Sequence, residues 1–275
     1  MFYRTFGREV ASVLLKAVVF ILSIVMVVVF ASSWYELDMI SDGTCNIVVI
    51  PIEGMISPFA SYDELVTTPG FVRDLIASAE ADPAIMGILF DINSPGGTPV
   101  ASEQISEYIQ SSSLPSLGLI GDIGTSGAYL VAASTNSIIA SSMSQVGSIG
   151  VTMSYLESSQ KNKDEGLTYV ELSSGRFKDA GSSDKELTDE EREIFMRDIE
   201  VTHSEFVKKI AALRNITPEA VQLYADGSSM TGLRALELGL IDRLGGRTTA
   251  KTEFSAILSL DPEDVVFCEY QSPLF

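Results

Sequence analysis

The residues of this 275-residue chain best suited to chemistry sit in three glycine-marked segments: NSPGG at 93–97, GTSGA at 124–128 and GSIG at 147–150. Each falls where an apolar run that reads as a strand ends, and in an open α/β sheet ligands bind beyond the carboxyl ends of strands. Glycines also simply end strands, so it is the three together that point to a shared crevice. In the middle segment Ser126 stands between glycines where an apolar run turns into a helical one. Two roles suit a serine there. Its side-chain oxygen can accept a backbone N–H as a helix N-cap, or it can be a nucleophile presented on a sharp turn. The second role requires a base, an oxyanion site and a substrate.

The single histidine, His203, lies in a long helical pattern beside the apolar stripe Ile199, Phe206 and Ile210, where packing is the ordinary role. GTSGA also departs from the G-x-S-x-G elbow, because Ala128 stands where the last glycine belongs. A lysine is the other choice of base. Lys178, in ELSSGRFKDAGSS, ends an expected strand before a serine- and glycine-rich loop. With an ordinary pKa of about 10.4, about one lysine in 2,500 is neutral at pH 7. Desolvation can draw a catalytic lysine to about 7–8, where about a tenth to a half is neutral. Asp179 would oppose that shift if close, although on extended backbone it points to the opposite face. Taken alone, a single lysine reads as a solvated surface charge.

These residues must be positioned by an alternation of strands and helices. CNIVVIPI reads as a strand, FVRDLIASAEAD as a helix and MGILFDI as a fully buried strand. SEQISEYIQSS is helical, and LPSLGLIG is a strand running into GTSGA. SIIAS, GSIGVTM and LTYVELSSG read as further strands, with a polar helix in YLESSQKNKDEG. Such alternation predicts βαβ units and a mostly parallel sheet. From Thr188 the pattern changes to one long helix, TDEEREIFMRDIEVTHSEFVKKIAALR, with Thr188 and Glu191 spaced as a capping box. Two short helices follow, TPEAVQLYA and GLRALELG, the first with Thr217 and Pro218 at cap and first-turn positions.

The amino terminus stands apart. Val10 to Ala31 is an apolar stretch of about the length of a bilayer core, with Lys16 near its start. A cleaved signal peptide is the alternative, and FASS at 30–33 offers small residues for it, but no A-x-A site closes the run. The expected organisation is a cytoplasmic 1–9, a transmembrane anchor at 10–31, a polar linker at 32–44 and a folded domain at 45–275. The positive-inside rule sends that domain across the membrane. The net charge of −19 is carried beyond residue 31, since Arg4, Arg8 and Lys16 outnumber Glu9 before it. That acidity disfavours nucleic acid and anionic lipid surfaces as partners. Cys45 and Cys268 lie at opposite ends of the exported part, and pairing and two buried thiols both remain open.

SPGG, then D-x-x-x-SGAY, then GSIGV, then SGRFKDAGSS running into LTDEER, in that order over roughly residues 45–246, resembles the signal peptide peptidase A family, serine peptidases of the S49 clan. The resemblance implies a ClpP/crotonase-like spiral of ββα units with an added C-terminal helical part. It also implies a Ser–Lys dyad without histidine and without a cofactor. Ser126 maps onto the nucleophile and Lys178 onto the general base, while Ser148 maps onto a third hydroxyl that orients the lysine. Gly97 takes the oxyanion-hole role of the NSPGG turn, with the N–H of Gly127 as its partner. Ala128 departs from relatives that carry a second glycine, and its methyl is expected to narrow the adjoining pocket.

The expectation is therefore a single-pass protein of the bacterial inner membrane, its peptidase domain on the periplasmic side, cleaving apolar peptides such as remnant signal peptides. The short members of the family form rings in which serine and lysine meet across a protomer boundary, so a homo-oligomeric ring, an octamer, is expected here. A non-catalytic membrane scaffold on the same fold, a Ser-His-Asp hydrolase and an acyl-thioester enzyme are the alternatives. The last is disfavoured by the lack of a basic phosphate-binding cluster beside the glycine turns.

Overall fold

The structure is a computed structural model that describes residues 16–27, 44–61 and 63–268. The chain forms β1 (Ile47–Ile56), the short β2 (Val66–Thr67), α1 (Pro69–Ala81), β3 (Gly87–Gly97), α2 (Pro99–Ser111), β4 (Ser116–Thr125), α3 (Gly127–Ala133) and β5 (Ser137–Ala140). After β6 (Gln145–Gly147) come α4 (Ser159–Asp164), the long α5 (Asp189–Arg214), α6 (Pro218–Gln222) and β7 (Ser229–Thr231). Then follow α7 (Gly232–Glu237), β8 (Arg243–Leu244), α8 (Arg247–Leu258) and β9 (Phe267–Cys268).

The sheet runs β2-β1-β3-β4-β5-β8, with β9 added to β1 and β6 to β4. Every pairing is parallel except β6 with β7. Parallel strands joined by helices have both faces covered, which is why the runs Ile47–Ile52 of β1, Gly87–Phe90 of β3 and Leu117–Ile120 of β4 are continuously apolar. The side chains still alternate. Val48, Ile50, Ile52, Ile88, Phe90 and Ile92 meet α1, α2, α3 and α5 in the larger core. Ile47, Val49, Leu89, Leu117, Leu119 and Ile139 meet Ala250 and Phe254 of α8 in the smaller one. Side chains two apart along a strand share a face.

Helix boundaries follow local chemistry. Thr188 accepts from the Glu191 N–H while the Glu191 carboxylate accepts from the Thr188 N–H, the reciprocal cap its sequence announces. Thr217 caps α6 with Pro218 in the first turn. The α/β class and the mostly parallel sheet agree with expectation.

Two expected strands do not form. GSIGVTM is a strand only up to Gly147, because Ser148 takes a positive φ of 52° that turns the chain out of the ladder. LTYVELSSG has no regular structure and lies exposed, with Leu172 95% and Val170 70% accessible. Its alternating pattern is readable, but a strand also needs an edge to pair with, and the sheet offers none there. Helix α4 is likewise shorter than the pattern at 155–166.

Cys45 and Cys268 form a disulfide, their Cα atoms 5.2 Å apart. It secures β9 to the start of β1, where Val48 is the parallel partner of Cys268. A bond closing so long a loop is worth about 2–5 kcal/mol. Of the expected anchor, residues 16–27 are helical and exposed, whereas 10–15 and 28–31, like 1–9 and 32–43, lie outside the described residues. Among the described residues no helix is long and apolar enough to cross a membrane.

Candidate active site

Ser126 is the hinge between β4 and α3. Its φ of 54° and ψ of −125° place a non-glycine residue in a region that costs about 1–3 kcal/mol. It occupies the N-cap position, yet its side chain makes no capping bond. The hydroxyl is therefore free of the structural duty that the sequence also allowed it. The strained backbone is held from both sides. The Ser126 N–H donates to the Gly147 carbonyl at 2.7 Å, and the Ser126 carbonyl accepts from Tyr129 and Leu130.

The end of β3 presses against this elbow. Gly96 has a φ of 95°, and a Cβ there would lie 2.7 Å from the Gly127 nitrogen and 2.9 Å from the Ser126 Cβ. Only glycine fits. A Cβ on Gly127 would meet the Ser102 hydroxyl of α2 at 2.1 Å and would stand 3.4 Å from the Gly97 nitrogen. The amides of Gly97 and Gly127 are thus neighbours beside Ser126. The Gly127 N–H opens a helix, where no intrahelical acceptor exists for it. Ser94, fully buried, fixes the turn: its hydroxyl donates to the Gly54 carbonyl at 2.6 Å and accepts from the Gly96 N–H at 3.1 Å.

A cavity of about 200 Å³ opens at this point, and Gly97, Ser126 and Gly127 form its floor. Leu130, Val151 and Phe206 supply apolar wall. Helix α5 contributes Thr202, Glu205, Phe206 and Lys209, positions three and four apart that share one helical face. His203 does not line the cavity. Its Nε2 is buried and has no hydrogen-bond partner, which removes support from a Ser-His-Asp arrangement. Lys209 donates to Glu103 of α2 at 2.7 Å. That bond raises its pKa against the opposing effect of burial, and Glu107 and Glu205 add to the rise. Lys209 is consequently an ammonium, unsuited to act as a base.

Lys178 does not line the cavity. It lies exposed in the turns after Ser174, its N–H donating to the Gly175 carbonyl at 3.0 Å. Ser148 is half-buried, and its hydroxyl donates to the Gly227 carbonyl at 2.9 Å. It adjoins the site through Gly147, whose carbonyl holds the Ser126 N–H. The fold thus unites Ser126, Gly97 and Gly127, brings Ser148 alongside and leaves Lys178 apart. Ala128 corrects the sequence expectation. It is fully buried in the larger core, so its methyl packs under the elbow and does not narrow the pocket. The wall residues Leu130, Glu103 and Lys209 escaped sequence reasoning. Of that wall only the stripe through Phe206 was visible as a pattern.

A sequence profile of Peptidase family S49 matches residues 109–260. The chain is 35% identical to a provisionally named protease of Synechocystis sp. over 68% of this chain and 68% of that protein. It is 31% identical to a provisionally named signal peptide peptidase of Enterococcus faecium, over 60% of this chain and 49% of the relative. Similarity to the chloroplastic serine protease SPPA of Arabidopsis thaliana is 28% identity over 64% of this chain and 26% of the plant protein. The chain thus spans less than half the length of the latter two.

Proposed function

Because the chain belongs to peptidase family S49 and is on that ground a peptidase, we propose that it is a membrane-anchored serine endopeptidase that cuts apolar peptides, with Ser126 as nucleophile and Lys178 as base. Its α/β architecture and mostly parallel sheet fit a ClpP-like peptidase. The observation that carries the reading is the strained elbow at Ser126, its hydroxyl uncapped and facing a cavity beside two amides.

In this mechanism neutral Lys178 takes the Ser126 proton as Oγ attacks the scissile carbonyl carbon. The carbonyl electron pair moves to oxygen, and the alkoxide accepts from the N–H groups of Gly97 and Gly127. In well-measured cases such a donor is worth about 3–4 kcal/mol. Collapse of the intermediate breaks the C–N bond, and the Lys178 ammonium returns its proton to the leaving amine. Water then releases the acyl group by the same sequence in reverse roles. Ser148 orients the lysine.

Lys178 comes from a neighbouring copy of the chain, in a ring of eight. Two features support this. Lys178 stands off the cavity of its own chain, and Lys209 on the wall is held by Glu103. The exposed Val170 and Leu172 share one face of an extended run that lacks an edge to pair with, which a second copy supplies. The anchor is residues 10–31, crossing the bacterial inner membrane once with the catalytic domain outside the cytoplasm. The Cys45–Cys268 bond supports that placement, since disulfides persist in oxidising compartments. Leu130, Val151 and Phe206 favour an apolar substrate such as a remnant signal peptide.

The test mixes inactive Ser126→Ala with inactive Lys178→Ala subunits. Interfaces that pair an intact serine with an intact lysine restore peptide hydrolysis. Mixed rings that form and stay silent place the dyad within one chain.

A further inference from the structure

The segment carrying Lys178 has no sheet to hold it, yet both flanks of the lysine are tied to one place. On one side Arg176, stacked on Phe177 at 5.0 Å, pairs with Glu190 in the first turn of α5. On the other side Asp179 accepts from the Tyr169 hydroxyl and stands 3.9 Å from the Lys185 ammonium. That ammonium also donates to Glu171 at 3.2 Å and to Glu191 at 2.8 Å. Glu191 is only 3% exposed, and its two oxygens are divided: one accepts from Lys185, the other from the Thr188 N–H. Lys185 thereby joins the capping box of α5 to the residue next to Lys178. Among the described residues no ion pair or side-chain hydrogen bond engages Lys178 itself.

We infer that Lys185 is a positioning residue for Lys178, its ammonium gathering Glu171, Asp179 and Glu191 so that the Lys178 side chain is presented outward from a fixed loop. The inference rests on the reading of Lys178 as base. Helix α5 makes the arrangement more than local. Its first turn anchors the lysine loop, and its face from Thr202 to Lys209 walls the Ser126 cavity. Glu191 and Thr202 are separated by about 16 Å of rigid helix. One element thus references the base of one site and the nucleophile's wall of another.

Hydrolysis of an apolar peptide by the full-length chain, followed as kcat and KM across pH, tests the assignment with Lys185→Met, Lys185→Arg, Tyr169→Phe and Lys178→Ala. A misaimed base lowers kcat about 10- to 100-fold with KM little changed. It also moves the apparent pKa of the rate profile, because the surroundings of Lys178 change. A purely structural role would scale the profile without moving it. Lys185→Arg keeps the cation and restores most of the rate. Tyr169→Phe removes only a hydroxyl from an exposed segment, so it keeps the assignment testable if Lys185→Met does not fold, and it shifts the profile in the same direction. Wild-type kcat and profile in Lys185→Met and Tyr169→Phe, with Lys178→Ala inactive, overturn the role of Lys185 and leave the dyad standing. An active Lys178→Ala removes the dyad, and the role of Lys185 with it.

Discussion

The elbow at Ser126 and the segment from 151 to 185 are built on opposite principles. Around Ser126 the backbone is strained and the surroundings over-determine it: Gly147, Tyr129 and Leu130 hold its polar groups, and Gly96 and Ser102 leave no space for an alternative. In the later segment the backbone has no ladder, large apolar side chains face outward, and order comes from charges tied to α5. A single chain fixes the Ser126 elbow by itself. It leaves the Lys178 segment fixed at its root and uncovered along its length. That contrast is what the proposed sharing of an active site between copies requires.

The sharpest way to break the comparison is Gly96→Ala. The added methyl collides with the Gly127 nitrogen at a backbone angle that alanine resists. Misplacement of the elbow is expected to lower kcat/KM about 100-fold, and the fold should lose about 1–3 kcal/mol, read from a urea titration. Wild-type turnover in this variant would show that the elbow is not held as described.

Leu172→Asp probes the other region. Leu172 is 95% exposed, so the stability of the isolated chain should change by less than about 0.5 kcal/mol. Self-association, measured by sedimentation, should fall together with activity at low protein concentration. A variant that assembles and cleaves normally would remove this run from the interface.

The smallest effect expected is an absence of change with pH. The bond to Lys185 holds the Glu191 carboxyl below the usual carboxylate range. Its stabilisation is present above the unfolded carboxylate value and is lost as pH falls through the lower folded one. The bond to Glu191 raises Lys185, so its contribution is full below the unfolded lysine value and is lost as pH rises through the higher folded one. The lysine loop should therefore resist limited proteolysis equally from about pH 5 to about pH 10. The rate should rise within that window in the wild type and equally in His203→Ala. Loop protection that changes with the rate would assign the titration to the loop instead of the base.

Much of the architecture was legible because its causes are local. Apolar runs of strand length, the Thr188–Glu191 cap and Thr217 with Pro218 specify their elements without help from afar. The failures share a cause. LTYVELSSG has the composition of a strand, but pairing is a property of two segments, and periodicity in one cannot supply the other. Helix α8 covers the second face of the sheet with Ala250, Phe254 and Leu258, a narrow stripe at four-residue spacing set among threonines and charges, so its pattern does not stand out in the sequence. Ala128 went astray for a related reason: which way a methyl points beside a turn depends on the turn's dihedral angles.

By itself the sequence determined which residues are chemically able. It held a serine among glycines, a single histidine on a packing stripe, a lysine before a polar loop and two distant cysteines. Tertiary structure alone decided what each is free to do. It forced Ser126 into a conformation in which the hydroxyl does not cap, set the Gly97 and Gly127 amides side by side, turned His203 off the cavity and joined Cys45 to Cys268. The physical reason is that residue type fixes which bonds a group can make, whereas reactivity depends on which of those bonds the rest of the chain has already satisfied.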